Sequence, residues 1–499
     1  MDRKQFIKLS CGGVAYSLFG GIGWLATGCK KQSMAGMNMG GITVKSGTFN
    51  NPLRLLQVID AGSPISLKAA ENKAEIIMDK VSRVKGYADG ILAPLIRVNK
   101  GQNLVVNFSN QLEEETNIHW HGLIIPDAMD GHPRHTVAPG GSFTYQFTVS
   151  QQAGTNWFHP HPHLKTGRQV NKGLAGMLVV NDPQEAALSL PSGEFELPII
   201  IQDKRIYADG SINYSPNSDE VMSGYFGEHI CVNGSWSAFH SVKTKIYRVR
   251  ILNGSNARVY NLSLSNGAAF YVIGSDGGLL PQAQAINQLL LSPGERADIL
   301  IDFSKEAVGN AVFLQSDAFA GGDSQGCDAF KIMKFAVSEK VAETFVMPGT
   351  LAPLASLDAS QSLKTRSFDI SNAHSAMPAG MDMGNSDAIH KIGGKSFSME
   401  RVDETVAAGS IEVWEFDNSK GTDIHPMHLH GVHFQVLSRV GGRGVIAPHE
   451  TGWKDTALCM PGEKVRIIMK FPDNPGLFAF HCHNLEHEDS GMMLNYKIA

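Results

Sequence analysis

Three stretches of this chain alternate β-prone apolar residues with polar ones, and each closes on asparagine: Val98 to Asn110 (VNKGQNLVVNFSN), Val242 to Asn253 (VKTKIYRVRILN) and Val406 to Asn418 (VAAGSIEVWEFDN). A period of two sends successive side chains to opposite faces of a strand, one face toward a core and the other toward water. A second pattern follows each stretch. Pro139-Gly140 precedes SFTYQFTV, Pro293-Gly294 precedes ERADILIDF and Pro461-Gly462 precedes EKVRIIMKF, the pairs lying 154 and 168 residues apart. Short strands between Gly and Pro turns, repeated at domain length, predict an all-β chain of three tandem β-sandwiches. We place them at residues 50–183, 184–345 and 360–499, with a linker at 346–359. The total of 499 residues agrees with domains of about 150 residues each.

The pattern changes at the N-terminus. Arg3, Lys4 and Lys8 precede an uncharged stretch from Leu9 to Cys29, closed by Lys30 and Lys31. Residues 1–29 read as an export signal, and residues 30–49 as a methionine-containing tether. A retained membrane helix is the rival reading, weakened by the six glycines of the stretch. Arg3-Lys4-Gln5-Phe6-Ile7-Lys8 resembles a twin-arginine export motif, and Ala26-Thr27-Gly28-Cys29 a loose lipoprotein box that would leave a lipid anchor on Cys29. Export implies the periplasm or cell envelope. There Cys231 and Cys327 could pair, although spacing cannot establish it. Cys459, in Ala457-Leu458-Cys459-Met460, reads as a core residue.

The repeat shows where chemistry was kept. His159 lies 20 residues after Pro139 and His481 lies 20 after Pro461, whereas the same offset in the middle copy reaches Phe313. The middle sandwich thus lacks the pattern and is expected to serve as spacer and wall. Four His-x-His pairs, His119/His121, His159/His161, His428/His430 and His481/His483, can each aim two imidazoles from one strand face into a shared space between the outer sandwiches. Cys482 stands between the last two and faces the other way. With His425 and His487 it makes a His-His-Cys set, and Met492 is placed as a weak axial ligand. Soft sulfur mixed with imidazole favours copper. Zinc could not use an electron acceptor, and a cysteine between two cluster histidines would then lack purpose.

Composition narrows the partners. A net charge of -5 without a long basic run excludes nucleic acid, whose binding rests on phosphate neutralisation. Hydrophobic content of 42% with 18% charged residues describes a folded soluble protein.

The segments HWHG (119–122), FHPH (158–161), HPMHLHG (425–431) and HCHNLEHEDSGM (481–492) resemble the four copper motifs of the multicopper oxidases. The resemblance implies cupredoxin-like Greek-key sandwiches and four copper ions. His425, Cys482, His487 and Met492 would bind type 1 copper, His119 and His428 type 2, and His121, His159, His161, His430, His481 and His483 the type 3 pair. It also implies that a reductant supplies electrons singly, that dioxygen takes four of them with four protons to give water, and that Asp130 and Glu488 serve proton supply. Met492 leads us to expect a lower-potential type 1 site. The chain is expected to act as a monomer.

Thr166-Gly167-Arg168-Gln169-Val170 and Gly452-Trp453-Lys454-Asp455-Thr456 add a likeness to bacterial copper-efflux oxidases, which oxidise Cu(I) and support copper tolerance. Met34, Met37 and Met39 in the tether, and His374, Met377, Met381 and Met383 before the third sandwich, offer soft ligands for Cu(I). Those enzymes carry methionine just before the first type 1 histidine. Here Gly421-Thr422-Asp423-Ile424 stands there, and Asp423 could attract the cation instead. A laccase-like oxidase of phenols or aromatic amines is the alternative, and a copper-binding or structural envelope protein without turnover is the alternative of another class.

Overall fold

A computed structural model describes residues 42–371 and 389–499. Each repeat in the sequence is one antiparallel strand pair: Asn103–Asn110 with Ser142–Thr148, Ile246–Asn253 with Arg296–Asp302, and Ile411–Asn418 with Glu463–Lys470. The closing asparagine and the Pro-Gly turn lock together each time. Gly140, Gly294 and Gly462 donate their backbone N–H to the carbonyls of Asn110, Asn253 and Asn418 over 2.8, 2.9 and 3.0 Å. All three glycines have positive φ (74°, 82° and 80°), which the turn requires and which a β-carbon would oppose.

Two sheets face each other in each sandwich. The first joins Val58–Asp60, Leu95–Asn99, Gly176–Asn181 and Gly154–Phe158 in one sheet and Lys80–Gly86, Ile65–Ile77, Asn103–Asn110 and Ser142–Thr148 in the other. The middle one has sheets of six and eight strands. In the third, Lys364–Asp369, Ile411–Asn418, Glu463–Lys470 and Phe434–Gly441 oppose Glu404–Val406, Met493–Ile498, Gly476–Cys482, His425–Leu429 and Thr456–Cys459. Most neighbours in these sheets are not neighbours in sequence, so the chain crosses repeatedly between layers. Strand Asn51–Pro52, at the start of the segment assigned above to the first sandwich, runs parallel to Ala238–Phe239 in the middle one.

Separate apolar cores fill the three sandwiches, with Trp120 in the first, Tyr260 in the middle and Trp414 in the third. Cys459 lies in the third core. The pairing of Cys231 with Cys327 is not made: Cys231 is a free thiol buried among Trp157, Met177 and Leu252. Cys29 and the methionines at 34, 37, 39, 377, 381 and 383, with His374, lie outside the described residues.

Candidate metal centre

Register decides which side chains meet. On the strand pair His425–Leu429 and Gly476–Cys482, Met427 stands opposite Cys482 and His428 opposite His481. Cys482, Met427 and Leu429 therefore face the third core, while His428 and His481 face out of the sandwich toward the first. His430, just beyond the strand, donates its backbone N–H to Ala479 and keeps the face of His428. In the first sandwich the two His-x-His segments pair with each other: His119 and His159 exchange backbone hydrogen bonds of 2.8 and 3.1 Å.

The eight imidazoles then interleave across the boundary. His119 stacks on His430 and His121 on His428, each with centroids 3.7 Å apart. Nε2 of His481 lies 3.2 Å from Nε2 of His161 and 3.1 Å from that of His430, so three nitrogen tips converge. His121, His159 and His483 form a second group, with ring centroids 5.0 to 5.7 Å apart. Nε2 of His119 faces Nε2 of His428 at 3.4 Å.

Hydrogen bonds on the far side of most of the rings fix which nitrogen points inward. Nδ1 of His119 donates to the Asp130 carbonyl (2.7 Å), Nδ1 of His159 to Pro160 (2.9 Å), Nδ1 of His428 to the Asp455 carbonyl (2.9 Å) and Nδ1 of His481 to the Cys482 carbonyl (3.0 Å). The Asp130 carboxylate takes Nδ1 of His430 at 2.7 Å. Glu488 sits 3.4 Å from Nδ1 of His161 and 3.2 Å from Nδ1 of His481. Inward-facing Nδ1 of His121, Nε2 of His159 and both ring nitrogens of His483 are buried without a hydrogen-bond partner. Buried polar atoms without partners are costly, and a cation among these lone pairs removes that cost.

Burial pushes the imidazoles of His119, His121, His161, His428, His430 and His483 well below their usual pKa, neighbouring imidazoles adding to it, and that of His159 down to about 3. They stay neutral, as metal ligation requires. Burial also raises Asp130 well above the usual carboxylate range, the nearby Asp127 adding to it.

Behind this cluster, Sγ of Cys482 lies 3.5 Å from Nδ1 of His425 and 3.6 Å from Nδ1 of His487. Met492 is buried in the same core, its carbonyl accepting the Cys482 backbone N–H at 3.0 Å. Burial raises the Cys482 thiol well above its ordinary pKa, so the thiolate needs a cation beside it. This donor set fits copper, and its two flanking histidines belong to the cluster. His487 has an occupied edge and face. Its Nε2 donates to the Met222 carbonyl at 2.8 Å, and its ring stacks on His390 with centroids 4.3 Å apart.

His390, Met222, Asp455 and Arg296 went unmarked in the sequence as site residues. A lone histidine, a helical methionine and two separated charges carry no periodic signal, and only the stretch Gly452 to Thr456 hinted at one of them. The middle sandwich is also more than a wall, since Met222, Arg296 and Gly294 belong to it; a β-carbon on Gly294 would lie 2.8 Å from the His483 ring. His132 and His433, not claimed as ligands, bond to Asn495 (2.9 Å) and the Gly122 carbonyl (2.8 Å).

Multicopper oxidase family models match residues 69–185, 197–331 and 371–499. A multicopper oxidase of Staphylococcus haemolyticus is 35% identical over 87% of this chain and 88% of its own length. A laccase of Bacillus subtilis is 31% identical over 88% and 96%. The solved structure of a Campylobacter jejuni multicopper oxidase, described as a metallo-oxidase, superposes with a TM-score of 0.79 at 29% identity, covering 91% of this chain and 96% of that one. The chain belongs to the multicopper oxidases. It is accordingly an oxidoreductase of three cupredoxin-like sandwiches, and copper ions are the cofactor its family implies.

Proposed function

We propose that the protein is an exported cuprous oxidase that contributes to copper tolerance in the periplasm or cell envelope, working as a monomer with or without a lipid on Cys29. His425, Cys482, His487 and Met492 would hold type 1 copper, His119 and His428 type 2, and the other six cluster histidines the type 3 pair. Bound copper would supply one-electron steps that carry four electrons from Cu(I) to dioxygen, giving water. One observation carries this reading: the Cys482 thiol belongs to the single site while its covalent neighbours His481 and His483 belong to the cluster, so one residue joins donor side to acceptor side.

The chain's carboxylates handle protons and ring orientation. Asp130 Oδ2 accepts from Nδ1 of His430, and Glu488 lies between the Nδ1 atoms of His161 and His481, each positioned to hold a proton beside the cluster. Cu(I) is favoured as substrate by the methionine segments and by the His487 ring, whose Nε2 edge and one face are already covered by protein. Asp423, two residues before His425, would attract the cation.

The laccase-like reading keeps the same centre with a phenol or aromatic amine as donor, and the Bacillus relative is its support. Oxygen consumption by copper-loaded protein, with Cu(I) and with a phenol, decides between them. Fast Cu(I) turnover that collapses when Met377, Met381 and Met383 are replaced supports the cuprous oxidase. Fast phenol turnover with slow Cu(I) turnover indifferent to those methionines makes it a laccase. Copper binding without oxygen uptake from any donor rejects both.

A further inference from the structure

His121 differs from its neighbours in orientation. His119, His159 and His428 each donate Nδ1–H to a backbone carbonyl, whereas His121 uses Nε2, 2.9 Å from Oδ1 of Asp455, and its Nδ1 is buried without a hydrogen-bond partner in a ring whose centroid lies 5.7 and 5.0 Å from those of His159 and His483. Asp455 is buried and held by Arg296, whose Nη1 and Nη2 donate to its two oxygens over 2.8 and 2.5 Å.

Every N–H of that guanidinium is used. Nε donates to the Thr155 carbonyl (3.0 Å) in the first sandwich, Nη1 also to Gly294 (3.0 Å) and Nη2 also to Asp276 (2.9 Å) in the middle one, while Asp455 belongs to the third. Arg296 thus joins all three domains at one point. The backbone carbonyl of the same Asp455 takes Nδ1 of His428, and Thr456 Oγ1 donates to the carboxylate at 2.9 Å.

We propose that Asp455, clamped by Arg296, is a positioning residue of the copper cluster: it fixes His121 as the Nε2–H tautomer so that Nδ1 is the ligating atom, and it makes the copper-free middle sandwich a requirement for the type 3 pair. Asp455, His121 and His428 also converge closely enough to suggest a metal triad. That alternative is disfavoured because both carboxylate oxygens are engaged by the guanidinium. A carboxylate that orients a ligating imidazole sets its tautomer and basicity, and losing such a partner typically costs about 10- to 100-fold in metal affinity.

This inference rests on the copper reading above, and the test separates the two. In copper-free protein labelled with 15N-histidine, the His121 signal, assigned by its absence in His121→Asn, should show a protonated Nε2 and a bare Nδ1. Asp455→Asn should populate the other tautomer. On copper loading, Asp455→Asn should retain the type 3 pair about 10- to 100-fold more weakly, with residual copper there magnetically uncoupled, while the blue Cys482 band stays at wild-type intensity. Arg296→Lys, which keeps the charge and loses the paired hydrogen bonds, should show the same pattern more weakly, and it carries the test alone if Asp455→Asn does not fold. A wild-type His121 protonated on Nδ1, or variants that hold the pair as tightly as wild type, would overturn the proposal. Wild-type protein that takes up no copper would instead overturn the copper reading and leave the tautomer result standing.

Discussion

His119 and His428, from the first and third sandwiches, point their Nε2 atoms at each other across 3.4 Å. Each Nδ1 is committed to a carbonyl, of Asp130 and Asp455, so both facing nitrogens present lone pairs. Two lone pairs at that distance repel, and a shared cation turns the repulsion into a bridge between domains.

Adding Cu(II) to copper-free protein should therefore raise its thermal unfolding temperature, with a gain of about 2.7 kcal/mol at free copper a hundredfold above the dissociation constant. His428→Ala should reduce the gain. Calorimetry of both proteins, with and without copper, measures it, and equal gains in the two would reject the bridge.

Asp130→Asn keeps the shape of the side chain but removes a carboxyl group able to exchange a proton beside His430, 2.7 Å away. Oxygen consumption should fall by about 10- to 100-fold, while anaerobic bleaching of the blue band by a donor keeps its rate. Stopped-flow absorbance beside an oxygen electrode separates the two steps. Unchanged oxygen reduction would remove Asp130 from the relay.

Glu488→Gln tests the second carboxylate, which reaches toward the rings of His161 and His481. Turnover should drop by about 100-fold and decline more steeply with rising pH than in wild type, because proton supply becomes limiting. A pH-rate profile parallel to that of wild type would contradict this role.

Acid stability should depend on Glu450. Burial raises this carboxyl, but Arg439 and Arg443 outweigh burial and hold it well below the usual range; Arg439 Nε donates to it at 3.0 Å. A folded pKa below the unfolded value of about 4.3 means that the contribution is complete above that pH and fades as pH falls. The unfolding temperature of Glu450→Gln should lie furthest below wild type at neutral pH, the gap narrowing in acid. A gap that widened in acid would show the sign to be wrong.

Gly131→Ala should disturb the cluster through the backbone. Gly131 has φ of 85°, and a β-carbon there would lie 2.1 Å from the Ile118 carbonyl and 2.6 Å from Cα of His119. The strain should cost more than about 1 kcal/mol and weaken copper retention, read by chemical denaturation and by metal content after dialysis.

Much of this arrangement was legible because it is periodic. Strand alternation sent Cys482 one way and His481 the other, and the repeated Asn and Pro-Gly marks proved to be hydrogen-bonded to each other in all three sandwiches. The Arg296–Asp455 clamp was not legible, since its members stand 159 residues apart with no period relating them. Each reads in sequence as an ordinary surface charge until the fold removes its water. The His390–His487 stack was hidden for the same reason, as one histidine on a loop has no pattern to betray it. The missing offset marks the middle sandwich as lacking the histidine pattern, but what that sandwich lends to its neighbours is carried by single residues, Met222, Gly294 and Arg296.

The strand bearing Cys482 is flanked by His425–Leu429 on one side and by Met493–Ile498 on the other. The thiol is therefore seated by segments from both sides of it in sequence, and the Met492 carbonyl takes its backbone N–H. Pairing of both neighbours thus precedes the thiol site, and a partly folded chain lacks the backbone that would seat a redox-active ion beside Cys482.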